Sequence, residues 1–446
     1  MKKLFGTDGV RGLAGQFPLD EKTIATVGRS LARQFRERLG RDAKFITGRD
    51  TRESGEWIEK AFHSGAAAAG ARCESAEVIT TPGVAYLTRK FDFDAGIVIS
   101  ASHNPFEDNG IKIFSPSGRK IDELTEREIE KDIYETVGNE STTTDLDNTR
   151  SGKFRESYLD YLATQFTDLS LEGFDMVVDC ANGAASHLAP TLFERLGANV
   201  IAINDDPDGR NINKDCGSLH LEKLQAKVIE NNADFGVAFD GDADRSLFVD
   251  ERGSLVDGDA TMWVLAQFLH SHGQLKNSAV VATVMSNLGL ELALKSKNIE
   301  LLRTAVGDKY VLQELIETGS ALGGEQSGHI IMPGKSLVGD GMMTALFLLE
   351  AIHEQGKKFS EMTEGFVRYP QVLVNVKVGK KLPFEEVAEI FSASCALEND
   401  LDGKGRLLLR YSGTENLARV MIEGQNQSEI ETQAHALADI IRASLV

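Results

Sequence analysis

Three aspartates at alternate positions stand in the run Asp240-Gly241-Asp242-Ala243-Asp244-Arg245, directly after the apolar segment Phe235-Gly236-Val237-Ala238-Phe239. Carboxylates so spaced can converge on one hard cation through oxygen ligands. A solvated acidic turn is the plain alternative. It is disfavoured because clustered like charges repel without a cation, and a buried strand would deliver them to the ligand end of its sheet. An EF-hand loop is also considered, since Glu251 falls at the twelfth position from Asp240. Arg245 in place of the required glycine and a strand leading in argue against it. Mg²⁺ is the expected ion, because a site with few all-oxygen ligands leaves room for a phosphate.

The second chemical stretch is Ile97-Val98-Ile99-Ser100-Ala101-Ser102-His103-Asn104-Pro105. A short β-branched run ending in small polar residues predicts a buried parallel strand that delivers Ser102 on the loop at its carboxyl end. Pro105 disfavours helical geometry at Asn104 and keeps the loop extended or turned. Nothing in the segment activates Ser102: there is no Gly-x-Ser-x-Gly elbow, and His103 reads first as a hydrogen-bonding residue. On these residues alone an ordinary strand-to-turn connection stays open.

Three further loops carry polar groups among glycines. Gly323-Gly324-Glu325-Gln326-Ser327-Gly328-His329 could read several hydroxyls of a polar ligand, Glu325 accepting and Ser327 doing either, or it is a glycine-rich turn with Glu325 exposed. Arg410-Tyr411-Ser412-Gly413-Thr414-Glu415-Asn416 offers an arginine, hydroxyls and free N–H groups suited to phosphate, with a tight hairpin turn as the alternative. The opening Leu4-Phe5-Gly6-Thr7-Asp8-Gly9-Val10-Arg11-Gly12 packs glycines around Arg11 and reads as a ligand-facing loop.

The elements that must hold these loops follow from periodicity. Helices are expected at 23–38 and 58–69 and strands at 44–47 and 75–79, before the serine loop. A polar run at 139–152 predicts a domain boundary. A second unit carries strands at 176–179, 200–203 and 235–239 with helices at 188–196 and 221–231. A third has helices at 260–270 and 288–297 with strands at 279–284 and 300–304. Helices run into strands through Gly70-Ala71-Arg72, Gly197-Ala198-Asn199 and Lys297-Asn298-Ile299, a weak repetition that suggests three related α/β layers. From Tyr369 the pattern becomes a strand at 372–378, a helix at 384–397, strands at 406–410 and 419–423, and a final helix at 428–445, a smaller α+β domain. The expected divisions are 1–150, 151–256, 257–368 and 369–446.

The 446 residues exceed one ordinary core, and 41% hydrophobic with 26% charged residues is a globular composition. A net charge of −20 opposes binding to nucleic acid or an anionic membrane. An anionic substrate would need local nests of Arg, Lys and backbone N–H groups. Cys73, Cys180, Cys216 and Cys395 lie far apart without metal-ligand spacing and read as reduced thiols. No signal-peptide core follows Met1-Lys2-Lys3, and the apolar stretch near Gly341 to Ile352 is too short to span a bilayer. The expected location is cytoplasmic.

With these loops in this order, the chain resembles the α-D-phosphohexomutases over nearly its whole length. The residues that carry the resemblance are the Ser100 to Pro105, Asp240 to Arg245, Gly324 to His329 and Arg410 to Asn416 loops. The opening Phe5 to Gly12, and Gln326 within Gly-Glu-Gln-Ser-Gly-His, are similar to the phosphoglucosamine mutase family. The resemblance implies four domains around a central cleft, the first three of similar α/β topology and the last α+β. It implies interconversion of glucosamine 6-phosphate and glucosamine 1-phosphate, en route to UDP-N-acetylglucosamine and cell-wall precursors. Phosphorylated Ser102 would donate to the sugar and give glucosamine 1,6-bisphosphate, which serves as intermediate and activator. One Mg²⁺ per chain would sit on Asp240, Asp242, Asp244 and a phosphoserine oxygen at Ser102. Arg11 and Lys112 would handle protons and charge, with His103 and Arg245 beside them. Only the resemblance lifts Lys112 above an ordinary exposed lysine. Glu325, Ser327 and His329 would hold the sugar, and Arg410, Ser412, Gly413, Thr414 and Asn416 the phosphate that is not reacting.

A kinase or self-phosphorylation would prime Ser102, and the chain could form a homodimer. Other readings stay open at this point: a phosphomannomutase or phosphoglucomutase of the same superfamily, a metal-dependent phosphatase, or a non-enzymatic sugar-phosphate sensor.

Overall fold

The computed structural model describes residues 3–6, 8–135, 144–401, 403–412 and 416–445. Packing divides the chain into two compact units, Met1–Thr283 with Thr304–Glu364, and Val284–Arg303 with Gly365–Val446. The expected boundary at 139–152 falls partly outside the described residues, which resume at 144.

The first unit is α/β and built by repetition. In one sheet Lys44–Arg49 lies between the parallel strands Arg72–Val78 and Ala95–Ile99; Asp108–Phe114 runs antiparallel beside the last, and Val10–Leu13 closes the edge. The next sheet repeats this order. Asp175–Asp179 lies between Asn199–Ile203 and Phe235–Phe239, then come antiparallel Ser246–Asp250 and Leu255–Val256. A reduced third version pairs Ala279–Thr283 with Gly323–Gly324, followed by antiparallel Ile330–Ile331. The central strands Ala95–Ile99 and Phe235–Phe239 are buried throughout, as apolar runs covered on both faces require.

The helix-to-strand junctions singled out in the sequence share a backbone cause. Gly70, Gly197 and Asn298 all adopt left-handed φ, at 91°, 98° and 58°, the conformation that turns a chain out of a helix. Helices Glu21–Leu39 and Gly55–Ala68 pack through glycines: a Cβ at Gly65 would lie 1.8 Å from the Ala25 carbonyl oxygen, and one at Gly28 2.2 Å from that of Phe62. Gly65→Ala should therefore destabilise the first unit by about 1–3 kcal/mol, seen as a lower urea midpoint. An unchanged midpoint would mean that the helices separate without cost.

Two expectations need revision. Helix Thr81–Lys90 was absent from the sequence reading, because Thr80-Thr81-Pro82-Gly83 looks like a turn; Pro82 instead occupies the first turn, and the Thr80 hydroxyl accepts from Gly83 N–H. The helix expected at 384–397 starts later. Phe384–Glu386 forms a 3₁₀ turn whose Phe384 ring stacks on Tyr411 at 4.2 Å, and the α-helix spans Ala388–Leu401.

The second unit carries the expected smaller α+β domain. Leu417–Gly424 pairs antiparallel with Gln371–Lys377 on one side and Gly405–Tyr411 on the other, and helices Ala388–Leu401 and Gln427–Leu445 pack on this sheet around Val376, Ile390, Val420 and Ile441. Among the described residues no helix is long and apolar enough to cross a membrane.

Candidate active site

Three of the sequence-predicted loops occupy the same place in the three sheets. Each follows a parallel strand and precedes its antiparallel neighbour: Ser102 after Ala95–Ile99, the aspartates after Phe235–Phe239, and Glu325 to His329 between Gly323–Gly324 and Ile330–Ile331. Carboxyl ends of parallel strands are where α/β sheets present ligand chemistry.

Side chains from the first two loops meet directly. The Ser102 hydroxyl donates to Asp240 Oδ2 at 2.5 Å, and His103 Nδ1 lies 3.3 Å from the same hydroxyl. Asp240 and Asp242 have no exposure and Asp244 5%; one oxygen from each lies within 4.8 Å of the others. Lys112, which without the resemblance would be expected to be an ordinary exposed lysine, is 1% exposed beside this cluster. Its Nζ reaches Asp242 Oδ2 at 2.7 Å, Asp8 Oδ2 at 3.0 Å and Asp244 Oδ2 at 3.3 Å. Burial alone would lower its pKa, but these carboxylates outweigh burial and hold the ammonium well above its ordinary value.

The cluster fits a divalent cation. Lys112 takes only one oxygen each of Asp242 and Asp244; Asp242 Oδ1 is buried and accepts no hydrogen bond from any described residue. Asp244 Oδ1 has only the longer approach of His329 Nδ1, 3.6 Å, and of Arg245 Nε, 3.8 Å. Burial, then Asp244 and Asp242, push the Asp240 carboxyl up to about 8. A cation must displace that proton, so Mg²⁺ affinity should rise with pH by up to about tenfold per unit and level off above pH 8. Calorimetric titrations between pH 6 and 9 measure this; a flat profile would show Asp240 already ionised.

Arg11 pairs with Asp8, Arg245 N–H donates to Asp240 Oδ1 at 3.2 Å, and Arg245 Nη1 lies 3.2 Å from His103 Nδ1. Burial, then Arg245 and Arg11, lower the His103 pKa to about 4, which leaves the ring neutral at pH 7. His329 Nε2 accepts from Gly339 N–H at 3.1 Å, so Nδ1 carries the ring proton of the neutral form and faces Asp244. Burial opposes charge on His329, but Asp244 wins and raises its pKa. Glu325 is half-buried, not exposed: its Oε1 accepts from Gly307 N–H at 3.1 Å, and Ser327 Oγ lies 3.4 Å from Oε2. Gln326 turns to Asp257, 3.5 Å away. An open cavity of about 400 Å³, lined among others by Asp8, Arg11, Arg245, Asp308, Glu325 and His329, lies over these groups. Its size suits a small polar ligand.

Sequence reasoning missed several members. Thr81, at the start of the overlooked helix, donates through its hydroxyl to Asp242 Oδ2 and through its N–H to the Asp242 carbonyl at 3.0 Å. Lys120 bridges Asp8 Oδ1 at 2.8 Å and Asp308 Oδ2 at 2.7 Å. Asp8 stands in the opening loop, but no local signal marks it or Asp308 as facing a lysine.

Arg410, Ser412 and Asn416 belong to the second unit; Gly413 and Thr414 lie outside the described residues. Arg410 stands directly opposite Arg419 across the two strands, and burial, then Arg419, lower its pKa. Like charges so paired repel, and an anion would relieve them. Arg419, by sequence only the start of an expected strand, is a further candidate for the site. Ser412 is buried, its N–H donating to Leu417 O at 2.8 Å, and Asn416 O accepts from Val378 N–H at 3.0 Å.

Comparison with known proteins covers the chain from end to end. Models of the phosphoglucomutase/phosphomannomutase family match with alpha/beta/alpha domain I at residues 2–139, domain II at 156–253, domain III at 257–369 and the C-terminal domain at 373–440. The phosphoglucosamine mutase of Solibacter usitatus is 46% identical over 444 residues, covering 100% of this chain and 99% of that one. That of Caldicellulosiruptor saccharolyticus is 48% identical over 450 residues, with 100% of each covered. A solved phosphoglucomutase/phosphomannomutase family protein from Burkholderia thailandensis shares the fold at a TM-score of 0.80 and 23% identity, over 99% of this chain and 97% of that one.

Proposed function

The chain belongs to the phosphoglucomutase/phosphomannomutase family and is a phosphohexomutase, an isomerase; from that premise we propose that it interconverts glucosamine 6-phosphate and glucosamine 1-phosphate through a phosphorylated Ser102. The observation that carries the proposal is the Ser102 hydroxyl, held 2.5 Å from a buried aspartate triad that also faces a buried lysine. The choice of amino sugar rests on the relatives named phosphoglucosamine mutase.

In the forward direction the free 1-hydroxyl oxygen of glucosamine 6-phosphate attacks the phosphorus on Ser102. The new O–P bond forms as the bond to Ser102 Oγ breaks, Oγ regains a proton, and glucosamine 1,6-bisphosphate results. The sugar turns over and its 6-phosphate returns to Ser102, releasing glucosamine 1-phosphate. Mg²⁺, held by Asp240, Asp242, Asp244 and a phosphoserine oxygen, would neutralise charge on the transferred group. Lys112, held charged by its carboxylates, supplies positive charge and is a poor base. Arg11 and Arg245 donate to phosphoryl oxygens at the cavity wall, and neutral His103 accepts a hydrogen bond beside Ser102. His329 is the candidate to pass protons, while Glu325 and Ser327 take sugar hydroxyls. The Arg410 loop, from Ser412 to Asn416, grips the idle phosphate in both orientations.

The stretches 1–150, 151–256, 257–368 and 369–446 are the domains of this reading. The product feeds UDP-N-acetylglucosamine and cell-wall precursors in the cytoplasm. A kinase or the enzyme itself primes Ser102, the bisphosphate is the activator, and each chain takes one Mg²⁺.

³¹P NMR with Mg²⁺ and a trace of bisphosphate tests the function, with glucosamine, glucose and mannose 6-phosphates run in parallel. The amino sugar should give the fastest growing 1-phosphate signal. Faster conversion of a neutral sugar would move the chain to a sister activity, and inorganic phosphate alone would make it a hydrolase.

A further inference from the structure

Arg52 does not line the cavity, yet its side chain is spent on the serine loop. It lies in the turn between the strand Lys44–Arg49 and the helix Gly55–Ala68, 2% exposed. Nε donates to Asp50 Oδ2 at 2.8 Å. Nη1 donates to the carbonyls of Pro105 and, at 3.0 Å, Asp108. Nη2 donates to those of Ser102 and Asn104, both at 2.9 Å. One guanidinium thus gathers four carbonyls between Ser102 and Asp108.

The other contacts converge on the same backbone. Asp50 Oδ2 also accepts from Ser100 Oγ at 2.6 Å, and Ser100 Oγ accepts from the Ser102 N–H at 2.9 Å. From the neighbouring α/β repeat, Asn213 Nδ2 donates to Ser102 O at 2.9 Å and Asn104 O at 3.1 Å. Gly241 comes so close that a Cβ there would lie 2.6 Å from Ser102 O. Ser102 itself sits at φ 55°, a left-handed conformation unfavourable for serine. Such a conformation persists only where its surroundings over-determine it, and here both the N–H and the carbonyl of Ser102 are held by side chains.

We infer that Arg52 is a positioning residue: with Asp50, Ser100 and Asn213 it holds Ser102 in its left-handed backbone, so that Oγ points at the aspartate triad in both transfer directions. The inference rests on the mutase reading for its kinetic consequences. Its geometric content stands apart from that reading. Lysine at this position keeps the charge but has neither the planar fork nor enough donors to span four carbonyls and Asp50. A serine displaced by about 1 Å costs on the order of 10²-fold in transfer, and a misplaced phosphoserine is exposed to water.

The test uses full-length Arg52→Lys and Asn213→Ala beside wild type. Arg52→Lys should lower kcat by roughly 10²-fold with KM changed by less than about threefold. Inorganic phosphate released per sugar converted should rise, and Asn213→Ala should move both quantities the same way by less. A loss of kcat that only tracks the folded fraction, with phosphate per turnover unchanged, overturns the inference, because partial unfolding scales both reactions together. Hydrogen exchange over 100–109 gives a readout free of catalysis. Faster exchange there in Arg52→Lys, with the rest of the chain unchanged, supports the clamp, and unchanged exchange overturns it. Failure of wild type to form any 1-phosphate would overturn the mutase reading alone, and the exchange result would still decide the role of Arg52.

Discussion

Ser102→Ala should abolish mutase turnover, by on the order of 10⁴-fold or more, in a protein that stays folded and still binds Mg²⁺. The reasoning is local. Ser102 Oγ is the atom proposed to carry the phosphoryl group, and its hydrogen bond to Asp240 is the link between the serine loop and the metal cluster. Alanine meets the left-handed φ of 55° with the same Cβ as serine, so the backbone cost is nearly unchanged. The lost hydrogen bond should cost about 1–2 kcal/mol of stability. The three aspartates remain, so the cation keeps its carboxylate ligands and loses only the phosphoserine oxygen. The measurement is ³¹P NMR with bisphosphate supplied, alongside circular dichroism and a Mg²⁺ titration. Wild-type turnover in this variant would remove Ser102 from the reaction.

The next largest effect belongs to Lys112→Met, which keeps the volume and deletes the charge. Lys112 is buried against Asp8, Asp242 and Asp244, and removing one partner of a buried ionic cluster leaves uncompensated charge, a cost of about 3–5 kcal/mol. Turnover should fall by roughly 10²–10⁴-fold, because the positive charge proposed to face the transferred group is gone. Mg²⁺ should then stabilise the variant more than it stabilises wild type, since the cation would replace the positive charge that Asp242 and Asp244 lose with Lys112. Thermal unfolding of both proteins with and without Mg²⁺ reads the difference. Equal Mg²⁺ shifts in the two would show that Lys112 and the metal do not share the same carboxylates.

Much of the molecule was legible in local pattern. Apolar runs such as Val98 to Ile99 and Phe235 to Phe239 marked central strands because burial on both faces needs continuous hydrophobicity. Alternate aspartates marked a cation site because like charges in one short loop need a counterion, and the family resemblance followed from loops whose order is itself a property of the chain. The helix at Thr81–Lys90 was missed because the same Thr-Pro-Gly residues serve a turn and a helix start, and only the packing around them chooses. That missed element delivers Thr81 to Asp242 across 161 positions of sequence. Lys112 is the clearest case of what tertiary structure alone decides. Its neighbours Ile111 and Ile113 describe a strand, but whether the lysine meets water or three carboxylates depends on what folds opposite it. Arg52 belongs with it, a residue of the turn between Lys44–Arg49 and Gly55–Ala68 that only its contacts make a clamp. Periodicity and loop chemistry arise from neighbours along the chain, so sequence alone determines them. The burial and pairing of a charge depend on residues brought from fifty or more positions away, so only the folded structure can decide them.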